Sequence, residues 1–294
     1  MSYKVSILTP VYGVEKYIAE CAVSLMEQTY DNIEYVFVDD CTPDRSIEIL
    51  RQVVSRYPQR QHQVRILRHD RNRGLGAARQ TALENATGEF VTIVDSDDSV
   101  PSDSVKAMVE KQTATNADIV SGSYVTTNFG KESTPCPATA GTREWILRRL
   151  LVHNTVTHVL WGRLLRRSLF ADYGISWTEG INMAEDLAII PCIVFAAKRM
   201  ATTQTVVYRY RVDRVGTFHQ GSMSQAHFQS FSNACQYTCD FFMLHDAAGI
   251  YRLPLQIGMT ERRYMGELLR GNTLRGKWLR LLYLVRKRLY LMSH

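Results

Sequence analysis

Along the first 125 residues, short aliphatic and β-branched runs alternate with stretches whose apolar positions recur at helical spacing. The runs at 5–9, 34–38, 64–67 and 89–94 predict four strands, and a fifth covers 118–124. Between and after them, helices are expected near 15–28, 44–56, 74–86 and 102–114. Such alternation predicts βαβ units building a mostly parallel sheet, and so an α/β fold flanked by helices. Residues 126–141 are rich in Thr, Ser, Pro and Gly and read as a separating loop. Beyond it, helices are expected near 142–153 and 184–197, a strand at 206–211, and a helical C-terminal extension from about 225. The linear partition is therefore 1–125, 126–224 and 225–294.

Ligands of open α/β sheets bind beyond the carboxyl ends of the strands. After the first strand comes Thr9-Pro10-Val11-Tyr12-Gly13, without the GxGxxG turn that carries a dinucleotide pyrophosphate, which weakens a nicotinamide reading. Gly74-Leu75-Gly76 lacks the third glycine and reads as a helix N-terminal turn. The second strand ends in Asp39-Asp40-Cys41-Thr42-Pro43-Asp44, where a carboxylate can accept a hydrogen bond from the imide N–H of uracil. Asp39 is the stronger ligand candidate, whereas Asp40 and Asp44 read equally well as turn or helix-cap residues.

The fourth strand runs into Asp95-Ser96-Asp97-Asp98. Three acids crowded at a buried strand end raise one another's pKa unless a cation compensates, and hard carboxylate oxygens suit Mg²⁺ or Mn²⁺ bridging to phosphates. A solvated turn capping the helix after Pro101 is the weaker explanation. Between these acidic points lies the basic segment 70–79, in which Arg79 is the candidate for diphosphate oxygens, and Arg71 and Arg73 read as solvated loop.

The chain has 294 residues, 45% of them hydrophobic, enough for one large α/β domain with an appendage. A net charge of +6 favours anionic partners without naming one. Cysteines 21, 41, 136, 192, 235 and 239 form no CxxC or zinc-like spacing and are expected to be mostly buried thiols. No stretch near residue 1 has signal-peptide or membrane-span character, so a cytoplasmic protein is expected, or one held peripherally on the inner face of the cell membrane. No nucleic-acid partner is expected.

Four ordered blocks resemble glycosyltransferase family 2, inverting enzymes of GT-A fold, a Rossmann-like architecture. They are Val5-Ser6-Ile7-Leu8-Thr9-Pro10-Val11-Tyr12, Glu34-Tyr35-Val36-Phe37-Val38-Asp39-Asp40, Asn72-Arg73-Gly74-Leu75-Gly76-Ala77-Ala78-Arg79 and Gly88-Glu89-Phe90-Val91-Thr92-Ile93-Val94-Asp95-Ser96-Asp97-Asp98. Each block alone is weak, but four in order across about 100 residues at βα spacing are specific. Cys41-Thr42 replaces the family's usual Gly-Ser, and Gln80 its usual Asn.

The resemblance implies that Pro10, Tyr12 and Asp39 hold the nucleotide base, and the expected donor is a UDP-sugar. Thr9, Asp40, Arg79 and Ser96 fall in the same donor-binding blocks, and Asp97 with Asp95 or Asp98 holds Mn²⁺ or Mg²⁺ on the diphosphate. Residues 1–125 then form the nucleotide-sugar half and 126–224 the acceptor and catalytic half. Trp161-Gly162-Arg163 looks like the family's tryptophan-glycine-lysine segment, with Arg163 in the lysine position. Met183-Ala184-Glu185-Asp186-Leu187 resembles the motif whose aspartate is the general base, with Glu185 orienting. From residues alone the same pair reads as acids favoured by a helix N-terminus.

His219 is a candidate neighbour of the donor phosphates or metal, although a lone loop histidine is ordinarily neither. Tyr208-Arg209-Tyr210-Arg211 offers a tyrosine to stack on sugar, or ordinary packing. The stretch 275–294 carries six Lys or Arg and no acid, interleaved with Trp278, Leu281 and Leu284. It suits an anionic membrane surface, the protein's own core, or a second copy in a homodimer.

The expected activity is inverting transfer of a sugar from a nucleotide-sugar donor to a saccharide or lipid-linked saccharide acceptor in surface polysaccharide biosynthesis. The alternative is a catalytically silent nucleotide-sugar-binding module. A sugar nucleotidyltransferase would carry a Gly-rich basic loop after the first strand, where this chain has Thr9-Pro10-Val11-Tyr12.

Overall fold

The computed structural model describes residues 2–153, 158–182, 184–213, 225–269 and 274–293. It divides into two compact units that interleave along the chain. The first comprises 1–140, 159–180 and 196–216, and the second 141–158, 181–195 and 217–294. The linear partition at 125 and 224 therefore does not follow the compact units, because two later strands return to complete the first unit's sheet.

That sheet contains β1 (Val5–Val11), β2 (Ile33–Asp39), β3 (Val64–Arg68), β4 (Phe90–Ile93), β5 (Ile119–Asn128), β6 (Lys131–Glu132), β7 (Arg163–Arg166) and β8 (Met200–Arg211). The spatial order is β3-β2-β1-β4-β7-β5-β6, with β8 on the other edge of β5. β3, β2, β1 and β4 are parallel, joined by α1 (Ile18–Met26), α2 (Ser46–Val54) and α3 (Leu75–Glu84), and α4 (Ser104–Thr115) follows β4. The α/β expectation is thus met, and a helical region occupies the C-terminal part.

Every residue of β1, β2 and β4 is buried, as strands covered on both faces require. Val5, Ile7, Val11, Tyr35 and Phe37 cluster with Ile18, Leu25, Leu50 and Met108 from α1, α2 and α4. Alternate residues such as Leu8 and Val36 take the opposite face, where α3 passes β1 and β2 on the small residues Ala78 and Ala82.

β7 escaped the sequence pattern because Arg-Leu-Leu-Arg is too short to show a period. It runs antiparallel between β4 and β5 with Leu164 and Leu165 fully buried. Arg166 is held by Asp118 at 2.8 Å and lies over the Phe90 ring. β8 starts six residues before the expected 206, its Thr-rich first half lacking an apolar alternation.

At the amino ends of the strands, one carboxylate ties three segments together. Buried Glu34 accepts from Ser6 Oγ (2.5 Å), Thr87 N–H (2.5 Å), Thr87 Oγ1 (2.8 Å) and Gly88 N–H (3.1 Å), with Lys4 Nζ at 3.2 Å. Gly88 is required here, since a Cβ would stand 2.6 Å from Ser6 Oγ and 2.8 Å from the Lys4 carbonyl.

The second unit holds α5 (Arg143–Arg148), α7 (Glu185–Ala196), α8 (Gln225–His245), α9 (Arg252–Leu269) and α10 (Leu274–Ser293), whereas the short α6 (Ser168–Asp172) lies in the first. Phe195, Phe241, Phe242 and Tyr251 pack edge to face within it. α10 packs along α9, burying Tyr283 and bonding Arg286 to Thr260 Oγ1 at 3.1 Å. Among the described residues, no helix is long and apolar enough to cross a membrane.

Burial alone would raise the Glu34 carboxyl, but the donors from Ser6, Thr87 and Lys4 outweigh it and hold it at about 2. A depressed carboxylate stabilises the fold above its unfolded value and loses that contribution as pH falls through the folded one. Glu34→Gln is therefore expected to cost about 1–3 kcal/mol at neutral pH. Its deficit in urea midpoint relative to the parent should shrink as pH falls from 4.5 toward 2; a constant deficit would count against the network.

Candidate active site

The sheet order reverses direction at β1, with β2 and β3 on one side and β4 on the other. A crevice at such a switch point is where open α/β sheets bind ligands. Val11 pairs with Asp39 and Leu8 with Ile93, so the ends of β1, β2 and β4 stand side by side. Tyr12 follows β1 and is 45% exposed, leaving its ring open to stack on a base. Pro10 is buried. Thr9 is buried on the face shared with Ile7 and Val11, and its Oγ1 finds no hydrogen-bond partner among the described residues.

At the end of β2 the two aspartates separate. Asp39 accepts from Thr42 N–H at 2.8 Å and has Arg68 Nε 3.4 Å away. Asp40, expected among the donor ligands, is committed elsewhere. Its Oδ1 meets His69 Nδ1 (2.7 Å) and Arg73 N–H (2.8 Å), and its Oδ2 meets Gly74 N–H (2.8 Å). His69 in turn meets Thr81 Oγ1 at 2.8 Å, so Asp40 fixes the entry to α3. Gly74 stands there at φ 90°, confirming Gly74-Leu75-Gly76 as a helix N-terminal turn. Cys41 takes φ 56°, a conformation costly for a side chain, where the family's glycine would be relaxed. Asp44 behaves as a turn residue, accepting from Ser46 and Thr42.

Beyond β4, the three acids of residues 95–98 take three different directions. Asp95 accepts from Arg79 Nη2 at 2.8 Å. Arg79, expected on the diphosphate, is only 1% exposed, because it lies on the face of α3 packed against the sheet. Its charge acts on Asp95. Asp97 is partly exposed, and its carbonyl accepts from Arg211 Nε at 2.9 Å. Asp98 is buried, its Oδ2 accepting from Tyr208 Oη and its Oδ1 from Arg211 N–H, both at 2.7 Å.

Asp98, included above among the metal ligands, is thus turned into the protein. Burial, then repulsion from Asp97 and Asp95, pushes its carboxyl up to about 8. Ser96 is buried between them.

A divalent cation is a chemical fit to what remains. Among the described residues no three His, Cys, Asp or Glu side chains converge as a metal cage. Mg²⁺-type sites need only one or two carboxylates when substrate phosphates and water complete the shell. Asp97 and Asp95 provide that number of hard oxygen donors beside the switch point.

Tyr208 was not singled out as part of this turn, yet it organises it. Its hydroxyl donates to Asp98 and accepts from Asp95 N–H at 3.1 Å. Its ring stacks on Trp161 (4.5 Å, 11°), which also stacks on Tyr210 (5.3 Å). Trp161, a candidate on the acceptor or diphosphate side, is buried and backs the Tyr208 ring. Arg211 bridges the turn to α1 through Glu20 at 2.5 Å. No sequence spacing reveals these partners, since Tyr208 lies 110 residues from Asp98.

Arg163 is held by the Val159 carbonyl (2.9 Å) and Ser121 Oγ (2.8 Å). Glu185 and Asp186 occupy the first turn of α7, in the second unit. His219 lies outside the described residues. Of the six cysteines, Cys21 and Cys192 are buried and four are half-buried, so the mostly buried expectation is corrected; none of the six is in a disulfide among the described residues.

The chain belongs to glycosyl transferase family 2, whose sequence model matches residues 6–174. It is 31% identical over 215 residues to the uncharacterized glycosyltransferase EpsJ of Bacillus subtilis (strain 168), covering 70% of this chain and 60% of EpsJ. Its fold is similar to the Staphylococcus aureus TarS fragment 1–349 solved in complex with UDP-GlcNAc, with TM-score 0.64, 18% identity, and 97% and 89% of the two chains covered. It is also similar to the mannosyltransferase PcManGT of Pyrobaculum calidifontis, solved with GDP-Man and Mn²⁺, with TM-score 0.57, 18% identity, and 98% and 87% covered. The chain spans 60%, 17% and 40% of the first three curated relatives it matches.

Removing the Tyr208 hydroxyl leaves buried Asp98 and the Asp95 amide each short of a partner. Tyr208→Phe is expected to lower stability by about 1–3 kcal/mol. Equilibrium urea unfolding checks this, and an unchanged midpoint would show that the hydroxyl does not hold the turn.

Proposed function

We propose that the chain transfers a sugar from a nucleotide-diphosphate sugar, with UDP as the nucleotide, to a hydroxyl of a saccharide or lipid-linked saccharide. The observation that carries the reading is that the ends of β1, β2 and β4, which lead into Tyr12, Asp39, Asp95 and Asp97, lie side by side at the β1/β4 switch point. Tyr12 stacks on the base and the Asp39 carboxylate accepts its imide N–H. Asp97 and Asp95 hold Mn²⁺ or Mg²⁺, which when bound neutralises charge on the departing diphosphate. Arg79 acts through Asp95, holding that carboxylate in place. A TarS fragment bound to UDP-GlcNAc and a mannosyltransferase bound to GDP-Man and Mn²⁺ share this fold, which supports a nucleotide-sugar donor and a divalent cation here.

Transfer is a single displacement with inversion. The acceptor oxygen forms its bond to the anomeric carbon as the bond to the diphosphate oxygen breaks, and the diphosphate leaves with the electron pair. Asp186 takes the acceptor proton, with Glu185 orienting, a role that rests on the 183–187 motif. A growing surface polysaccharide is the acceptor class. One curated relative, 28% identical over 222 residues, is the poly(ribitol-phosphate) β-N-acetylglucosaminyltransferase TarS, of which the chain spans 36%.

Thermal shift against UDP, GDP and CDP, each with and without Mn²⁺, tests the donor site. Ligand at a hundred times its Kd stabilises by about 2.7 kcal/mol. UDP with Mn²⁺ should give the largest shift, and Asp97→Asn should remove its metal-dependent part; a shift independent of both would overturn the assignment. For the base, Asp186→Asn should lower turnover by about 10²–10⁴-fold while donor binding persists. Near-normal turnover would remove Asp186 from that role, and donor binding without transfer by the parent chain would favour the silent binding module.

A further inference from the structure

α10 presents a face that neither the donor site nor the sheet explains. Its inner side is committed to the protein: Tyr283 is buried, Arg286 bonds Thr260, and Lys287 Nζ donates to Tyr283 Oη at 2.7 Å. Its outer side carries Trp278 (67% exposed), Leu281 (59%), Leu284 and Val285. Trp278, Leu281 and Val285 recur at i, i+3 and i+7, which aligns them in one apolar stripe. Alongside run the exposed Lys277, Arg280 and Arg288, so the two stripes form one continuous outer face. No acid occurs between 274 and 293.

We infer that this face lies on the anionic phospholipid surface of a bilayer, with α10 parallel to the membrane plane. The charge pattern selects this occupant over a second copy of the chain. A twofold contact through this face is isologous and would set the basic stripe of one copy against the basic stripe of the other, with no acid on the helix to compensate. Lipid phosphates remove that repulsion and attract each cation. Trp278 suits the headgroup boundary, where an amphipathic ring buries its body and keeps its N–H wet. Lys277, Arg280 and Arg288 bury their stems beside the apolar stripe and keep their charges at phosphate level. An apolar stripe flanked by cations along one side of a helix is the pattern of interfacial attachment. The inference does not rest on the donor-site reading.

The test uses the full chain with vesicles of phosphatidylcholine alone and of an equal mixture with phosphatidylglycerol. Pelleting with the anionic vesicles only is expected, with a blue shift of tryptophan emission that Trp278→Phe removes. The triple variant Lys277→Glu, Arg280→Glu, Arg288→Glu should bind about tenfold more weakly or worse. Should that variant misfold by circular dichroism, a salt titration of the unaltered chain reads the same charge dependence, and release on raising ionic strength is expected. Absence of pelleting, pelleting insensitive to both charge reversal and salt, or a concentration-dependent dimer abolished by Trp278→Ala would overturn the inference. UDP binding by the triple variant reports separately on the donor site.

Discussion

The buried hydrogen bond from Tyr208 to Asp98, with the ion pair of Arg79 and Asp95 beside it, is the constraint on which the site depends. Two carboxylates 4 Å apart repel by about 4 kcal/mol at an effective dielectric near 20. A strand that ends in three acids therefore opens outward unless something draws some of them in. Here α3 supplies a buried guanidinium to the first acid and β8 supplies a hydroxyl and a backbone amide to the third. Breaking a buried charge pair by deleting one partner costs about 3–5 kcal/mol. The turn is accordingly fixed before any ligand arrives, and Asp97, between the two anchors, stays at the surface of the crevice.

The same device recurs around the sheet. Asp40 pins the loop before α3, Glu34 pins the turn before β4, and Asp118 accepts from Arg166 and from the amides of Lys198 and Arg199 that open β8. Each is a carboxylate spent on backbone N–H groups that the sheet leaves unpaired at its ends. β8 and the segment carrying Trp161 return from late in the chain to complete this framework, which is why the first compact unit gathers three separate stretches of sequence. The family assignment follows from this half of the chain, where the match to residues 6–174 begins and which holds the crevice.

The parallel part of the sheet was readable from sequence because strands covered on both faces become continuous apolar runs bounded by polar turns. β7 was unreadable: four residues with arginine at each end show no period, and its place between β4 and β5 is a tertiary matter. In the site, the motif points to the strand ends but not to the partners of neighbouring acids. Asp97 and Asp98 are adjacent, and which of them faces the crevice is decided by Tyr208 and Arg211, more than a hundred residues later. The reach of Arg79 is legible in the sequence, whereas its ion pair with Asp95 is not. Asp40 is set apart from Asp39 by His69 and by the amides of Arg73 and Gly74, beside the positive φ of Cys41.

The most direct measurement is anomalous diffraction at the manganese edge from crystals grown with UDP and Mn²⁺. The account predicts a single strong peak in coordination with the Asp97 carboxylate and the diphosphate oxygens, with Asp98 still bonded to Tyr208. A peak ligated by Asp98 with the Tyr208 bond broken, or no peak near residues 95–97 while UDP is bound, would contradict it.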